Sequence, residues 1–257
     1  MIASTDAEQL RALYRNASRH SQYQIMPDFL AAVVDPDALD KKWNRYEKER
    51  MDYIAKKIDL RGTKVLDVGG NTGYFSFEAL THGAREAVCY EGNPEHCEFM
   101  RVAARAFNKR LSVKNAYMTF DAQLEEGRFD VSIVLNVLHH VGFDFGDKGI
   151  DIEEAKRYII KNLNWFADKT TYMVFQIGFS WMTDYNHPLF PNGTKGEMID
   201  MVRAGIAGHW DEVGIGIARA NEGITVYEDL SPTNIAREDH LGEFRNRPLF
   251  ILRSRQH

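Results

Sequence analysis

The sequence has few of the features that mark a secreted or membrane protein. It contains two cysteines in 257 residues, Cys89 and Cys97, which lack the paired spacing of a zinc or redox motif. We expect both to be reduced core residues of a cytoplasmic protein. No basic and apolar leader is present, and the longest nearly apolar run, 172–182, is too short to cross a bilayer. Secretion and membrane insertion are therefore not expected.

An excess of charge of one sign is also missing. The formal net charge is -5 and the isoelectric point is near 6. Such a chain has no global field that attracts a polyanion, so nucleic acid is not the expected partner. The densest charge run, 41–50, mixes both signs at helical spacing and is interpreted as a solvated helix face. With 44% hydrophobic residues, the composition predicts a globular protein with a sizeable core.

The chain shows no repeat, low-complexity tract or linker, which predicts a single domain over 1–257. Within it we distinguish a helical N-terminal extension, 1–60, from an α/β core, 61–257. Thr5 and Glu8 have the spacing of a capping box and predict an opening helix. Apolar and aromatic residues at steps of three and four predict a second helix from about 38 to 58.

Strand and helix patterns alternate from residue 62 onward. Buried strands are predicted at 63–68, 86–92, 110–116, 129–137 and 170–178. Helices are predicted between them, at 74–83, 94–107 and 150–166. This alternation predicts a doubly wound, mostly parallel sheet with helices on both faces.

The last third of the chain has a weaker pattern. A helix is predicted at 194–206 and strands at 224–230 and 247–254. If these two strands pair as an antiparallel hairpin, they complete a seven-stranded sheet.

A glycine-rich turn between the first strand and its helix is the most informative segment. Such a turn lets the backbone approach a ligand closely and directs helix N-terminal amides at it. The dinucleotide fingerprint G-x-G-x-x-G would need a glycine at Val68, in addition to Gly70 and Gly73. A nucleotide-dependent oxidoreductase is therefore an alternative that the glycine spacing disfavours.

The pattern acid-x-Gly-x-x-x-Gly, formed by Asp67, Gly69 and Gly73, resembles the first motif of class I S-adenosylmethionine-dependent methyltransferases. The usual middle glycine of the family falls at Asn71, and asparagine tolerates a left-handed backbone better than other side chains do. The resemblance implies that the loop holds the methionine portion of S-adenosylmethionine and that the acid holds its cationic end. The cofactor residues expected in this segment are Asp67, Gly69, Gly70, Asn71, Gly73 and Tyr74.

A second acid, Glu91, ends the second strand 18 residues beyond Gly73. A carboxylate there can accept hydrogen bonds from both ribose hydroxyls, and the resemblance implies this role. After the third strand, where the family often has an aspartate, the chain has Asn115, Ala116 and Tyr117. We expect the adenine contact to come from this backbone and the Tyr117 ring.

Residues 136–141, which follow the fourth strand, are expected to face the methyl group, with Asn136 beside the cofactor. Methyl transfer is an in-line displacement, so the enzyme mainly aligns the nucleophile and excludes water. A neutral hydroxyl acceptor also needs a base. His139 and His140 are candidates because histidine titrates near pH ~6.5. The alternative is that one imidazole only packs or caps the next segment.

Side chains after the fifth strand are candidates for the acceptor pocket, with ordinary lid packing as the alternative. They are Gln176, Trp181, Tyr185 and His187.

Arg50, with Arg45, is a candidate to close over the cofactor carboxylate or an anionic acceptor. No metal is expected, since Asp144, Asp147 and Asp151 are interpreted as residues of a solvated loop.

Segment 124–141 is similar to the methyltransferase domain of bacterial O-antigen chain-terminating enzymes, as are 71–80 and 247–252. This resemblance implies O-methylation of a glycan, a phosphorylated sugar or a related small molecule in surface-polysaccharide synthesis. A phosphate acceptor, already ionised, needs cations more than a base. A methyltransferase that modifies tRNA uridine is an alternative within the enzyme class, disfavoured by the acidic balance. The oligomeric state stays open.

Overall fold

A computed structural model describes residues 3–16, 24–35, 45–121, 123–221 and 223–256. The helices in these ranges are α1 (Ser4–Asn16), α2 (Asp28–Val34), α3 (Glu47–Lys57), α4 (Tyr74–Thr81), α5 (Pro94–Ala106), α6 (Ile152–Trp165), α7 (Lys195–Ile206) and α8 (Gly242–Arg245). The strands are β1 (Lys64–Val68), β2 (Glu86–Glu91), β3 (Leu111–Asn115), β4 (Phe129–Leu135), β5 (Thr170–Gln176), β6 (Trp210–Asn221), β7 (Ile224–Asp229) and β8 (Leu249–Ser254). Within these ranges, no helix is long and apolar enough to cross a membrane.

The chain divides into two compact units. The first comprises 1–51 and 59–118, and the second comprises 52–58 and 119–257. In the first unit, β1, β2 and β3 pair in parallel in the order β3-β2-β1. In the second, β4 and β5 are parallel, and β8, β6 and β7 continue antiparallel in the order β4-β5-β8-β6-β7. The single domain over 1–257, with a helical extension to residue 60 and an α/β core from residue 61, stays a prediction.

The first unit has its apolar core between α1, α2, α4 and α5. Buried side chains from all four helices form it, among them Leu10, Leu30, Phe77 and Met100. Phe29 packs edge-on against Phe77, with 5.9 Å between ring centroids. Two helices of the N-terminal extension, α1 and α2, therefore contribute to this core. Their apolar side chains add to its stability, since burial of apolar surface is the main favourable term in folding.

Local signals set the starts of the two long helices of the second unit. The Asp151 side chain accepts a hydrogen bond from the Glu154 amide, and Glu154 accepts one from the Asp151 amide. Thr194 and Glu197 form the same capping box at α7. Each box satisfies two backbone donors that the first helical turn leaves without intrahelical partners.

The bounds of most predicted helices and strands lie within two residues of the observed bounds. The opening helix is α1, and the five strands predicted in the core are β1 to β5. The α/β class with mostly parallel strands is confirmed. The predicted helix from about 38 to 58 is helical from Glu47, and residues 36–44 lie outside the described part of the chain.

The end of the sheet differs from the prediction, because eight strands rather than seven lie in the described ranges. The segments 224–230 and 247–254 do not pair with each other. Instead, β7 pairs with β6, and β8 lies between β5 and β6. Sequence reasoning missed β6 because Gly214 and Gly216 weaken its strand pattern.

Those two glycines make room for an aromatic ring. A Cβ atom on Gly214 would lie 2.9 Å from the Tyr53 hydroxyl oxygen, and one on Gly216 would lie 2.8 Å from Tyr53 Cε1. The Tyr53 hydroxyl donates a 2.6 Å hydrogen bond to Asp229, which fixes the ring against β6. Glycine is therefore required by packing rather than by strand propensity.

We predict that Gly216→Ala lowers the free energy of unfolding by about 1–3 kcal/mol, because the added methyl group overpacks the Tyr53 ring. Urea unfolding followed by circular dichroism measures the change. Gly196→Ala in α7 is the matched control: its Cβ would meet no atom closer than 3.9 Å, and alanine favours the helix. If Gly216→Ala is as stable as the control, the close contact described between position 216 and the Tyr53 ring is contradicted.

Candidate cofactor and acceptor sites

The loop after β1 adopts the conformations that its glycines permit. Gly69, Asn71 and Gly73 all have positive φ, at 70°, 54° and 89°. Asn71 thus takes the left-handed conformation expected of the residue at the middle position. A Cβ on Gly73 would also lie 2.8 Å from the Met100 sulfur. Both the backbone and the packing therefore require glycine at 73.

Gly70 is required for a different reason, since its φ is not positive. A Cβ atom there would collide with the Cys89 sulfur and lie 3.0 Å from Asp67 Oδ2. The absence of a side chain lets the loop fold closely over the ends of β1 and β2. The loop backbone is consequently held next to the acid that ends β1.

Asp67 is buried, and its Oδ2 accepts a 2.7 Å hydrogen bond from the Ser76 hydroxyl. Burial raises the pKa of this carboxyl to about 6, and the nearby Glu91 charge adds to the shift, while the Ser76 hydrogen bond opposes it. A cation beside Asp67 would favour its ionised form. The position therefore suits the cationic end of a ligand.

Glu91 joins the loop to the end of β2. Its Oε2 accepts a 2.8 Å hydrogen bond from the Asn71 amide, and its Oε1 accepts one of 2.8 Å from the Asn93 amide. His96 Nδ1 lies 3.6 Å from Oε1. An ionised carboxylate has about four acceptor positions, so hydroxyl donors of a ligand can be accommodated as well.

The residues after β3 lie against the same turn. Asn115 Nδ2 donates to the carbonyl oxygens of Glu91 and Gly92, at 3.1 and 3.0 Å. The Tyr117 ring covers Gly92, where a Cβ would be 2.5 Å from Tyr117 Cζ, yet the residue is 61% exposed. Ala116 is exposed beside it. This arrangement offers a ring for stacking, and the adenine contact stays a prediction.

Gln24, from the segment before α2, was missed by sequence reasoning. Its Oε1 accepts hydrogen bonds from the Tyr74 amide at 3.1 Å and from the Thr72 hydroxyl at 3.2 Å. The side chain therefore serves an amide at the start of α4. No motif surrounds Gln24, so the sequence held no signal for this contact.

Arg50 is buried beside the first turn of α4, with its guanidinium carbon 4.9 Å from the centroid of the Phe75 ring. Its Nη2 lies 3.9 Å from Glu47 Oε1. Burial raises the pKa of Glu47, an effect that the charge of Arg50 opposes. Arg45 binds the same acid through its backbone amide, at 2.8 Å. The predicted contact of Arg50 with a carboxylate of a ligand stays a prediction.

The second unit contains a buried network around Asn136. Its amide donates to the Gln176 carbonyl oxygen at 2.7 Å, and its Nδ2 donates to Gln176 Oε1 at 3.2 Å. Gln176 Nε2 in turn donates to the Arg247 carbonyl oxygen at 3.0 Å. Asn136 and Gln176 were predicted for the cofactor and acceptor sites, and here they bind each other.

Arg247 is the functional candidate that sequence reasoning missed in this unit. Its Nη1 donates to Asn136 Oδ1 at 2.8 Å, and its Nη2 and Nε donate to Glu243 Oε1 at 2.7 and 3.1 Å. The guanidinium is buried. The available signal was its place two residues before β8, in the segment 247–252, which was interpreted as a strand and as part of the resemblance but not as a site.

The two adjacent histidines have different surroundings. His139 is buried, and its pKa lies well below the usual range because of burial and the nearby His140 and Arg247. His140 is more exposed, with Nδ1 3.1 Å from Asp144 Oδ2. The two histidines of this turn therefore differ in burial and in the groups around them. The role of each as a base stays a prediction.

The remaining acceptor candidates lie along the segment after β5. Trp181 is buried and donates through Nε1 to the Val141 carbonyl oxygen at 2.7 Å. The His187 ring meets it edge-on, with 6.2 Å between centroids, and Tyr185 is 77% exposed. Trp181 anchors the segment, while Tyr185 and His187 lie at its exposed end.

The acidic loop after β4 has local roles. Asp144 lies near His140, Asp147 accepts from the Gly149 amide at 2.9 Å, and Asp151 caps α6. Among the residues that the structure describes, no group of three acids, histidines or cysteines is arranged to hold a metal ion.

No family model matches the sequence. Over 125 residues the chain is 27% identical to a ubiquinone biosynthesis O-methyltransferase of Xylella fastidiosa, a match that covers 48% of this chain and 50% of that protein. Over 117 residues it is 30% identical to a tRNA U34 carboxymethyltransferase of Pseudomonas paraeruginosa, covering 44% of this chain and 33% of that protein. The chain spans about half the length, or less, of these relatives.

Solved structures have the same fold. WbdD, a bifunctional kinase-methyltransferase, aligns over 96% of this chain and 48% of its own, with a TM-score of 0.60 and 22% identity. Magnesium protoporphyrin IX methyltransferase from Synechocystis PCC 6803, solved with S-adenosylmethionine bound, aligns over 98% of both chains, with a TM-score of 0.52 and 14% identity. The chain therefore has the class I methyltransferase fold. The predicted resemblance to class I methyltransferases is confirmed.

We predict that affinity for S-adenosylmethionine rises about ten-fold between pH 5 and pH 7. The folded-state pKa of Asp67, about 6, exceeds its ordinary value of 3.8, so the folded protein binds this proton more tightly than the unfolded chain does. Its contribution to stability therefore falls as pH rises from about 4 to 6. A cationic ligand requires the ionised carboxylate, so binding below pH 6 must displace the proton.

Isothermal titration calorimetry across this range measures the effect, and Asp67→Asn is the control because an amide does not titrate. The variant should bind more weakly and with a flat profile from pH 5 to 7. Equal affinity of the unaltered protein at both pH values would contradict a contact between Asp67 and the cofactor's positive charge.

Proposed function

We propose that this protein binds S-adenosylmethionine through the loop 67–74 together with Glu91, and transfers its methyl group to an oxygen of an acidic acceptor. The proposed acceptor is a phosphorylated sugar, a glycan or a related small molecule of surface-polysaccharide synthesis. The observation that carries the proposal is the pair of acids, Asp67 and Glu91, joined by one glycine-rich loop.

Each acid suits one part of the cofactor. Asp67 is a buried carboxyl whose pKa is raised to about 6, so a positive charge beside it would compensate the cost of its ionisation. Glu91 has both oxygens on backbone amides and retains acceptor capacity for the ribose hydroxyls. The bound S-adenosylmethionine in a protein with the same fold supports this assignment.

The acidic acceptor is supported by the buried guanidinium of Arg247 and by the resemblance of 124–141 to O-antigen chain-terminating enzymes. Arginine recognises phosphate and carboxylate oxygens through paired N–H donors. WbdD, whose fold the chain shares, joins a methyltransferase to a kinase. An ionised phosphate oxygen needs alignment for in-line attack and has no proton for a base to remove.

We propose further that the reaction takes place in the cytoplasm. Cys89 and Cys97 are both buried and form no disulfide. Reduced, buried cysteines are typical of proteins in a reducing compartment.

A second candidate function is that of a tRNA uridine-modifying methyltransferase; the 30% identity to a tRNA U34 carboxymethyltransferase favours tRNA as the substrate. The net charge of -5 argues against it, because proteins that bind nucleic acid neutralise phosphates with clustered cations.

Calorimetry with S-adenosylmethionine, S-adenosylhomocysteine and NAD tests the cofactor. We expect binding of the first two and not of NAD. Glu91→Ala should weaken binding about 10- to 100-fold, because it removes an acceptor of charge-assisted hydrogen bonds of about 1.5–3 kcal/mol each. Glu95→Ala is the matched control, since Glu95 is exposed on α5. Binding of NAD alone would end the proposal.

Release of S-adenosylhomocysteine tests the acceptor. Phosphorylated monosaccharides and glycans are compared with their dephosphorylated forms and with unmodified tRNA. Turnover that depends on the phosphate group is the expected outcome. Turnover with tRNA alone would favour the second candidate, and equal turnover with dephosphorylated sugars would contradict an acidic acceptor.

A further inference from the structure

One nitrogen of His139 is buried without a partner. The residue is 1% exposed, and its Nε2 has no hydrogen-bond partner among the residues that the structure describes. A buried polar atom left in this state is destabilising, because it has lost its hydrogen bonds to water. Native proteins keep such atoms mainly where a ligand or a bound water completes the hydrogen bond.

The other ring nitrogen identifies the chemistry of this atom. His139 Nδ1 accepts a hydrogen bond from the Gly178 amide, at 3.4 Å. An accepting nitrogen carries no proton, so in the neutral ring the proton is on Nε2. The lowered pKa of His139 means that the ring is neutral at pH 7. The unpartnered atom is therefore an N–H donor, and it has no lone pair with which to act as a base.

A guanidinium lies beside this donor. A Cβ atom on Gly178 would be 3.1 Å from His139 Nε2 and 3.2 Å from both Arg247 Cζ and Nη2. The two side chains thus border one point above Gly178, and any side chain at 178 would be crowded against them. Glu243 and Asn136 hold the guanidinium in place, which keeps its charge compensated while it is buried.

We propose that His139 and Arg247 together bind an anionic oxygen of the acceptor, from a phosphate or a carboxylate group, with His139 Nε2–H as a hydrogen-bond donor. This inference rests on the proposed function and assigns His139 a role other than that of a base. In the reaction, a lone pair of an ionised acceptor oxygen forms the bond to the methyl carbon. The carbon–sulfur bond breaks, and its electron pair stays on the sulfur of S-adenosylhomocysteine. No proton leaves the acceptor.

The groups around His139 agree with a donor role. Burial disfavours protonation of the ring, and His140, with a ring centroid 4.5 Å away, and Arg247 disfavour it further. The acids nearby are engaged elsewhere: Asp144 lies 3.1 Å from His140 Nδ1, and Glu243 binds Arg247. Histidine is thus held uncharged next to a cation, an arrangement that suits an anionic ligand.

Nuclear magnetic resonance of the whole protein labelled with ¹⁵N-histidine tests this directly. We expect His139 to be neutral and protonated on Nε2 at pH 7. Addition of inorganic phosphate, or of acetate in a separate titration, should shift its Nε2–H signal saturably, and the stronger of the two responses distinguishes phosphate from carboxylate. Exposed His240 of the same unit is the internal control.

A proton on Nδ1, an imidazolium at pH 7, or no response to either ion would overturn the inference. None of these measurements needs the cofactor or turnover. Their failure is therefore distinguishable from failure of the proposed function, which the calorimetry with S-adenosylmethionine tests.

Variants separate a donor from a base and from a structural residue. His139→Gln keeps an N–H donor and should retain kcat/KM within about ten-fold, whereas His139→Phe should lose about 100-fold or more, a loss typical of a missing oxyanion donor. Affinity for S-adenosylmethionine should be unchanged in both. Gly178→Ala, which places a methyl group at the shared point, should abolish the phosphate response. Equal collapse of kcat/KM in the Gln and Phe variants would support a base and contradict the donor.

Discussion

The hydrogen bond from the Asn71 amide to Glu91 is the interaction on which the cofactor site depends. It joins the glycine-rich loop after β1 to the end of β2, at 2.8 Å. The loop can reach Glu91 because Asn71 and its neighbouring glycines take left-handed conformations. The loop placed in this way has its backbone amides close to the carboxyl groups of Asp67 and Glu91. A cationic nucleoside needs acceptors of this kind for its charge and its hydroxyl groups.

Buried charge is the constraint that both units share. In the first, burial raises the pKa of Asp67 to about 6, an effect that the hydrogen bonds from Ser76 oppose. In the second, Glu243 and Asn136 bind the buried guanidinium of Arg247. A charged group loses its hydration on burial, so a cationic ligand would favour the ionised form of Asp67, whereas Glu243 already compensates the charge of Arg247. The proposed function assigns a cation to the first place and an anion to the second.

Much of the fold follows from local pattern. Strands of five to seven residues lie between helices, and the strands β1 to β5 appear where the hydrophobic pattern predicts them. The last strands do not follow in this way. β6 contains glycines that contradict strand propensity, and its place is decided by the Tyr53 ring, which comes from a distant part of the sequence. Propensity is local, whereas this packing is not.

The features of the site can be separated in the same way, into those set by local sequence and those set by tertiary packing. By itself, the sequence determined the glycine spacing, the acid near the end of each of the first two strands and hence the predicted class of cofactor. These features lie within about 25 residues of one another and act through backbone conformation. Only the tertiary structure decided that Gln24 serves the start of α4, that Arg247 lies beside His139, and that the two histidines differ. Hydrogen-bond partners and burial depend on residues far apart in the chain, which no spacing rule contains.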